Sequence, residues 1–190
     1  MSIAALHTEL ITARLPRSWG PEAPQNHVVA VTVVADDGAT GTGFSWTPTI
    51  GATAVKALLD DDLAGFVRGR TENPEALWDD AWKHLHEGGT GLTGVALAGV
   101  DLALWDLRAR RALDALAEFG PSWLEEPLRA DDLEGYRQLR RFSRVPIALG
   151  ENLHNVYRFR DFIAAGGQTA AGERDFADLL ELRGGEGQLG

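Results

Sequence analysis

Two short apolar runs, each ending in acidic residues, constrain the fold of this chain more than any other feature. The first, "SWLEE", ends at Glu125 and Glu126, and the second, "VPIALGE", ends at Glu151. A helical pattern, "DDLEGYRQLRRFS", separates the two runs, and another, "NVYRFRDFIAAGG", follows them. Strands that alternate with helices at this spacing favour a parallel sheet with crossover helices. Because buried strand ends tolerate charge only when it is paired, these glutamates need a common partner.

The residues before this alternation predict a separate α+β arrangement that begins with strands. We expect a strand over 3–12 and a hairpin over 28–46, where "DDG" supplies the turn. Between them, the segment 13–27 contains three prolines and is predicted to be a long loop. Long loops in small domains are often functional, so this loop is a candidate for ligand contact.

Three helical segments are predicted next, over 51–69, 73–89 and 93–119. In the second, Asn73 is a good N-cap and Pro74 suits the first helical position. The third is apolar nearly all round from Val95 to Leu104, which predicts a helix buried on most sides.

Composition excludes several classes of function. The 190 residues carry a net charge of −10 and include no cysteine. The acidic balance argues against nucleic-acid or anionic-membrane partners, and the lack of cysteine excludes disulfides and thiolate zinc sites. No segment approaches the roughly 18 apolar residues of a membrane span, and the first residues lack a signal-peptide pattern. We therefore expect a soluble cytoplasmic protein.

Several segments, in this order along the chain, match the motifs of one family. They are "DDGATGTGFSWT", "LWDDAWKHLHEGGTG", "VDLALWDLRAR", "WLEEPL" and "VPIALGENLH". Over roughly residues 3–166, the chain resembles the mandelate racemase and muconate-lactonizing branch of the enolase superfamily, most of all its acid-sugar dehydratases. The resemblance implies an α+β N-terminal capping domain followed by a partial (β/α) TIM-barrel segment with about two of the eight strands. The implied boundaries are a cap over 1–94, a linking core helix over 95–118, the barrel segment over 119–166 and an irregular Gly-rich tail over 167–190.

The resemblance also implies a chemistry, in which Mg²⁺ assists proton abstraction next to the carboxylate of a sugar acid. Glu125 and Glu151 match the second and third of the three metal-holding acids of the family. Glu126 is expected to be a supporting or structural acid, and Asn152 to orient Glu151 or substrate. His154 follows the second strand and is a candidate base, although a loop histidine is the simpler interpretation.

Two cap loops are candidates for substrate contact, because cap loops close over the substrate in this family. The alternative is that they are ordinary surface loops. The candidate residues are Arg14, Arg17, Trp19 and His27 in the first loop and Ser45 and Trp46 in the second.

The chain departs from the family between "ALWDLRAR" and "WLEEPL". Only twelve residues, Arg111–Ser122, lie here, where family members place about a hundred residues of barrel. The missing block would carry the first metal-ligating Asp and a Lys-x-Lys motif whose second lysine is a catalytic base. The only lysines present are Lys56 and Lys83, both in the cap segment.

Two classes of function follow from these observations. The first is a Mg²⁺-dependent dehydratase, racemase or epimerase of sugar acids by descent. The second is a non-catalytic pseudoenzyme or gene fragment that associates through its cap. The absent lysine pair favours the second, and the resemblance leaves homo-oligomers possible.

Overall fold

The computed structural model describes residues 1–18 and 24–166, and its first three strands form an antiparallel sheet. The strands are β1 (Ile3–Arg14), β2 (Gln25–Ala35) and β3 (Thr40–Thr47), in the order β1-β2-β3. The predicted strand and hairpin are therefore confirmed. The hairpin turns at Gly38, whose φ of 86° is a conformation that glycine adopts without a steric cost.

The first connection is shorter than the predicted loop over 13–27. Strands β1 and β2 stay paired up to the register Arg14↔Gln25, so only residues 15–24 connect them. A last hydrogen bond runs from the Leu15 N–H to the Pro24 carbonyl at 3.0 Å, and Pro16, which has no N–H, cannot extend the ladder as a donor. The prediction extended the loop into residues that the antiparallel register holds as strand.

The helical part of the first half begins with one continuous segment and continues with two longer helices. The first segment runs through α1 (Ala52–Ala57), a π-helical turn (Leu58–Leu63) and α2 (Ala64–Val67). Helix α3 (Pro74–His84) starts as predicted, with the Asn73 side chain accepting the Ala76 N–H at 2.9 Å. It ends earlier than predicted, and a short 3₁₀ turn (His86–Gly88) follows.

Helix α4 (Leu92–Glu118) packs its buried face on the inner face of the sheet. Glycines make this close approach possible, since a Cβ on Gly41 or Gly43 would overlap the α4 backbone at Ala103 or Gly99. The prediction of a helix buried on most sides from Val95 to Leu104 is confirmed, since Leu102 is the one residue of this segment that is exposed, at 43%.

The second half alternates strand and helix as predicted. Strands β4 (Leu124–Glu125) and β5 (Ile147–Ala148) pair in parallel, and they are joined through α5 (Leu133–Phe142). Helix α6 (Val156–Ala164) follows β5. The small core beneath these strands has four buried side chains among the described residues, namely Tyr136, Ile147, Leu153 and Phe162.

By its internal contacts the chain divides into two units, Met1–Ala109 and the residues from Arg110 onward. The division lies within α4, the helix that the sequence predicts as the link. In the described residues, none of the helices combines the length and the apolar character needed to cross a membrane. The predicted tail over 167–190 lies outside the described residues.

Candidate metal-binding strand ends and an adjoining pocket

The two predicted metal ligands lie at the same edge of the parallel strand pair. In the register, Leu124 pairs with Ile147 and Glu125 with Ala148. Glu125 therefore ends β4, and Glu151 follows three residues after the end of β5. Both side chains are exposed. Carboxyl ends of parallel strands are where barrel enzymes place their chemistry, so the topology agrees with the predicted position.

Glu126 joins the two strand ends through its carboxylate. It accepts the N–H groups of Gly150 and Asn152, each at 3.2 Å, and the Asn152 Nδ2–H at 2.5 Å. Its backbone has a φ of 38°, which is unusual for a residue other than glycine. The Asn152 side chain and the backbone N–H groups of 150–152 lower the pKa of the Glu126 carboxyl, because they stabilise its charged form.

The Asn152 side chain contacts the end of the neighbouring strand. Its side-chain amide donates to Glu126 rather than to Glu151. The chain turns sharply after β5 at Gly150, whose φ is 139°, and this turn brings the Asn152 amide to the end of β4. Strand alternation alone gives no indication of that turn.

A pocket of about 570 Å³ lies beside these strand ends, within the second unit. His154 lines it, as do Glu126 and Asn152. Two of its cationic residues, Arg129 and Arg158, were not singled out in the sequence. A signal that could have found Arg158 is its position three residues after Asn155, a residue type that caps helix N-termini. Neither Glu125 nor Glu151 lines this pocket.

The donor set fits Mg²⁺ in type but not in number. Carboxylate oxygens are hard ligands of the kind that Mg²⁺ prefers. Within residues 1–18 and 24–166, however, no three side chains of His, Asp or Glu come together closely enough to hold a metal ion. Mg²⁺ needs near-octahedral coordination and gives up water reluctantly, so two glutamates make an incomplete site.

The cap candidates do not form one loop. Arg14 ends β1, and His27 belongs to β2, where its Nδ1 lies 3.0 Å from the Thr12 Oγ1. Of the remaining residues of this loop, Arg17 lies in the connection and is exposed, and Trp19 is outside the described residues. The prediction that Arg14 and His27 are loop residues is wrong, because the strands extend further than the proline count indicated.

The second cap candidate pair is divided between the two faces of β3. Ser45 is 2% exposed, and its hydroxyl donates to the Val95 carbonyl of α4 at 2.7 Å. Trp46 is 38% exposed on the opposite face. Both belong to a strand, whose side chains alternate between faces, and not to the predicted loop. The Ser45 hydroxyl is therefore engaged with α4.

Comparison with protein families gives two matches that together cover most of the chain. Residues 14–119 match the family model described as mandelate racemase/muconate lactonizing enzyme, N-terminal domain. Residues 101–171 match the model described as enolase C-terminal domain-like. The chain therefore belongs to the mandelate racemase/muconate lactonizing enzyme family of the enolase superfamily.

Individual relatives agree with this family membership. A 3,6-anhydro-alpha-L-galactonate cycloisomerase of Streptomyces coelicolor is 27% identical over 75% of this chain and 65% of its own length. D-galactonate dehydratases of Xanthomonas oryzae are 34% identical over 31% of this chain and 15% of theirs. The chain thus spans less than two thirds of the length of these relatives.

Solved structures show the same fold. A racemase from Streptomyces coelicolor with bound magnesium matches 88% of this chain and 74% of its own, at a TM-score of 0.53 and 25% identity. An L-talarate dehydratase from Polaromonas sp. JS666, complexed with Mg and L-glucarate, matches 88% of this chain and 71% of its own. The TM-score is 0.52 and the sequence identity 19%.

The cycloisomerase alignment also shows an internal gap in this chain. The alignment runs over 235 residues, but 75% of the 190 residues of this chain is only about 143. About 90 positions inside the aligned region therefore have no counterpart here. This agrees with the missing internal block predicted from the short spacing between the family motifs.

Proposed function

We propose that this chain descends from a Mg²⁺-dependent sugar-acid dehydratase or cycloisomerase and has itself lost catalysis. Its relatives carry names of enzymes that act on galactonate and its derivatives. In complete members, a base would remove the proton next to the substrate carboxylate while the metal stabilises the resulting enediolate. The chain keeps Glu125 and Glu151 as inherited metal ligands.

One observation supports the loss of catalysis most directly. The two strand-end glutamates are joined by no third acid or histidine among the described residues. The chain also has no Lys-x-Lys motif: of its two lysines, Lys56 lies in α1, 2.5 Å from an Asp60 carboxylate oxygen, and Lys83 lies in α3.

Calorimetry tests this proposal. Mg²⁺ is titrated into purified protein, alone and with a panel of sugar acids that includes galactonate and glucarate, and turnover is followed in the same samples. We expect no saturable Mg²⁺ binding in the millimolar range and no turnover. A double variant, Glu125→Gln with Glu151→Gln, is the matched control and should behave identically. Millimolar or tighter binding with turnover, lost in the double variant, contradicts the proposal.

A second candidate function is association of two copies through the cap. The outer face of the sheet carries exposed apolar side chains, namely Ile11 at 45%, Phe44 at 54% and Trp46 at 38%. The register aligns Ile11 with Val28 and Val28 with Trp46. These three apolar side chains therefore form a continuous row across the three strands. Exposed apolar patches of this kind are typical of interfaces.

Light scattering with size-exclusion chromatography tests this second candidate. We expect a dimer that becomes monomeric when Phe44 and Trp46 are replaced by serine. The control is Thr40→Ser on the same strand, which removes no apolar surface. A monomer at all concentrations for the unmodified chain would contradict association through the cap.

A further inference from the structure

We propose that a second pocket, between helices α3 and α4, binds a quaternary ammonium ion. This pocket has a volume of about 390 Å³, and all of its lining residues belong to the first unit. We call it the tryptophan pocket. It is lined by two indole rings and three carboxylates, namely Trp78, Trp105, Glu75, Asp79 and Asp101. Aromatic ring faces combined with negative charge are the groups by which proteins recognise quaternary ammonium ions.

The spacing of the lining residues along the two helices brings them to one place. Trp78 and Asp79 lie three and four positions after Glu75, so all three residues share one face of α3. Asp101 and Trp105 are four positions apart and share a face of α4 in the same way. These two helix faces supply all of the lining of the tryptophan pocket.

Both indole rings are held in place by contacts with the protein. Trp78 packs against the core of the first unit, and its ring stacks on that of Trp82 with 6.3 Å between the centroids. Trp105 is 43% exposed, but its side chain hydrogen-bonds the Asp101 carboxylate and its ring lies under the Arg108 guanidinium. Because the rings are already ordered, a ligand gains their surface at a low entropic cost.

One cation of the chain already uses the groups of this pocket. Arg108 donates from its Nη1 to both carboxylate oxygens of Glu75, at 2.8 and 3.0 Å, and its guanidinium carbon lies 4.9 Å from the Trp105 ring centroid. Arg108 does not line the cavity itself, so its contacts leave the cavity open. The pair neutralises Glu75, whereas the charges of Asp79 and Asp101 remain to attract a cation.

The Asp101 carboxylate is charged at an electrostatic cost that a bound cation relieves. Burial raises the pKa of this carboxyl, the hydrogen bond from Trp105 offsets part of the rise, and the negative charge of Glu75 adds to it. A cation inside the pocket stabilises the charged form of Asp101, so the electrostatics of the pocket favour a positively charged ligand over a neutral one.

The separation of the carboxylates selects an organic cation over a metal ion. In the part of the chain that the structure describes, no three side chains of His, Asp or Glu are grouped closely enough to hold a metal ion, and the three acids of this pocket are no exception. A quaternary ammonium ion needs no close oxygen ligands, because its methyl groups pack directly on ring faces. The volume of the pocket also suits a group of several carbon atoms.

The test is an NMR titration of choline with the full chain. We expect saturable binding in the low-millimolar range and an upfield shift of the choline methyl signal, because ring currents shield a group that lies over an indole face. The uncharged analogue in which a carbon atom replaces the choline nitrogen should bind about tenfold more weakly, since it has no cation–π attraction. Mg²⁺ at equal ionic strength should not displace choline.

Variants of the lining locate the binding site. Trp105→Leu should weaken choline binding about fivefold and reduce the upfield shift, because it removes one ring face. Asp79→Asn changes an exposed residue, so it should weaken binding a few-fold without altering the circular dichroism spectrum. Asp80→Asn is the matched control, because Asp80 is the next residue of α3, is also exposed and does not line the pocket. It should leave choline binding unchanged.

Four results would each overturn the assignment of this ligand to the tryptophan pocket. They are a choline titration that does not saturate, equal affinity for the uncharged analogue, displacement of choline by Mg²⁺, and equal weakening by Asp79→Asn and Asp80→Asn. The last comparison stays informative even if Trp105→Leu unfolds the protein.

Discussion

At the scale of single residues, Glu126 has a clear physical role between the strand ends. Its carboxylate accepts two backbone N–H groups and one side-chain amide from the turn after β5. A carboxylate that joins two chain segments in this way fixes their distance. The neighbouring Glu125 has the same chemistry at the end of β4 but an exposed side chain.

The contrast between these two glutamates gives a stability prediction. Glu126→Ala leaves the turn donors without their acceptor, and we expect a loss of about 1–2 kcal/mol in the free energy of unfolding. Glu125→Ala, the matched control, should change it by less than about 0.5 kcal/mol. Chemical denaturation followed by circular dichroism measures both. Equal effects of the two substitutions would show that Glu126 does not secure the turn.

Glu134 in α5 gives a prediction on pH. Hydrogen bonds from Arg137 and then Gln138 lower the pKa of its carboxyl from 4.5 to about 2. Because the folded pKa is lowered, this interaction is fully present above pH 4.5 and is lost as the pH falls toward about 2. Carboxyl chemical shifts in an NMR titration should show this low midpoint. Arg137→Gln should return the midpoint toward 4.5, and a midpoint near 4.5 in the unmodified protein would refute the prediction.

The sequence predicted the positions of Glu125, Glu126 and Glu151 at strand ends because apolar runs that stop at acids are visible without coordinates. It could not predict that Asn152 bonds Glu126. That contact depends on the positive φ of Gly150, a backbone choice that residue spacing does not encode. Arg158 was missed for a related reason, since its hydrogen bond to the Asp131 carbonyl joins two segments that are 27 residues apart in the chain.

At the scale of elements, the contact between β3 and α4 depends on side-chain size. Gly41 and Gly43 let the helix backbone approach the strand so closely that a Cβ at either position would overlap it. Between these two glycines, the Thr42 N–H of β3 donates to the Asp106 carboxylate of α4 at 2.8 Å. This bond occupies a donor of an edge strand that would otherwise be open to pairing with another chain.

A methyl group at this contact should therefore be costly. Gly41→Ala is expected to reduce the free energy of unfolding by about 1–3 kcal/mol, because the obstructing atoms belong to the helix backbone and cannot rotate away. Thr40→Ala, on the same strand but exposed, is the control and should have a small effect. Thermal denaturation compares the two. A neutral Gly41→Ala substitution would mean that α4 does not pack on β3 at this distance.

Element types followed from the sequence, whereas several boundaries did not. The turn residues "DDG" predicted the hairpin of β2 and β3, and the Asn73–Pro74 pair predicted the start of α3. The ends of β1 and β2 were set by their mutual register, which is a property of two segments and not of either alone.

At the scale of the whole molecule, the two units have unequal cores. Among the described residues, the core of the first unit contains nineteen buried apolar side chains and that of the second contains four. Stability rises with the apolar surface that a unit buries. Two parallel strands of two residues each add few hydrogen bonds to the smaller core.

Hydrogen exchange should reveal this inequality. We expect the amides of α5 and α6 to exchange through local opening well before those of β2 and the buried part of α4. Mass spectrometry of peptic peptides measures both in one experiment. Equal protection across the two units would show that the second is stabilised by more than its own core.

The family itself was predictable from the order and spacing of short motifs, and the match over residues 14–119 agrees with it. The internal gap was predictable for the same reason, since twelve residues cannot replace several barrel strands. Missing lysines are equally visible in a sequence. The spacing of motifs along the sequence does not show how many metal ligands the folded chain brings together.

Proton exchange next to the carboxylate of a sugar acid tests the central claim most directly. Galactonate or glucarate is incubated with the chain and Mg²⁺ in D₂O, and deuterium incorporation at the α-carbon is followed by NMR. Our account predicts no incorporation above the protein-free background, because no third acid or histidine joins the glutamates among the described residues and the sequence has no Lys-x-Lys motif to supply a base. Mg²⁺-dependent incorporation that disappears in the Glu125→Gln, Glu151→Gln double variant would contradict it.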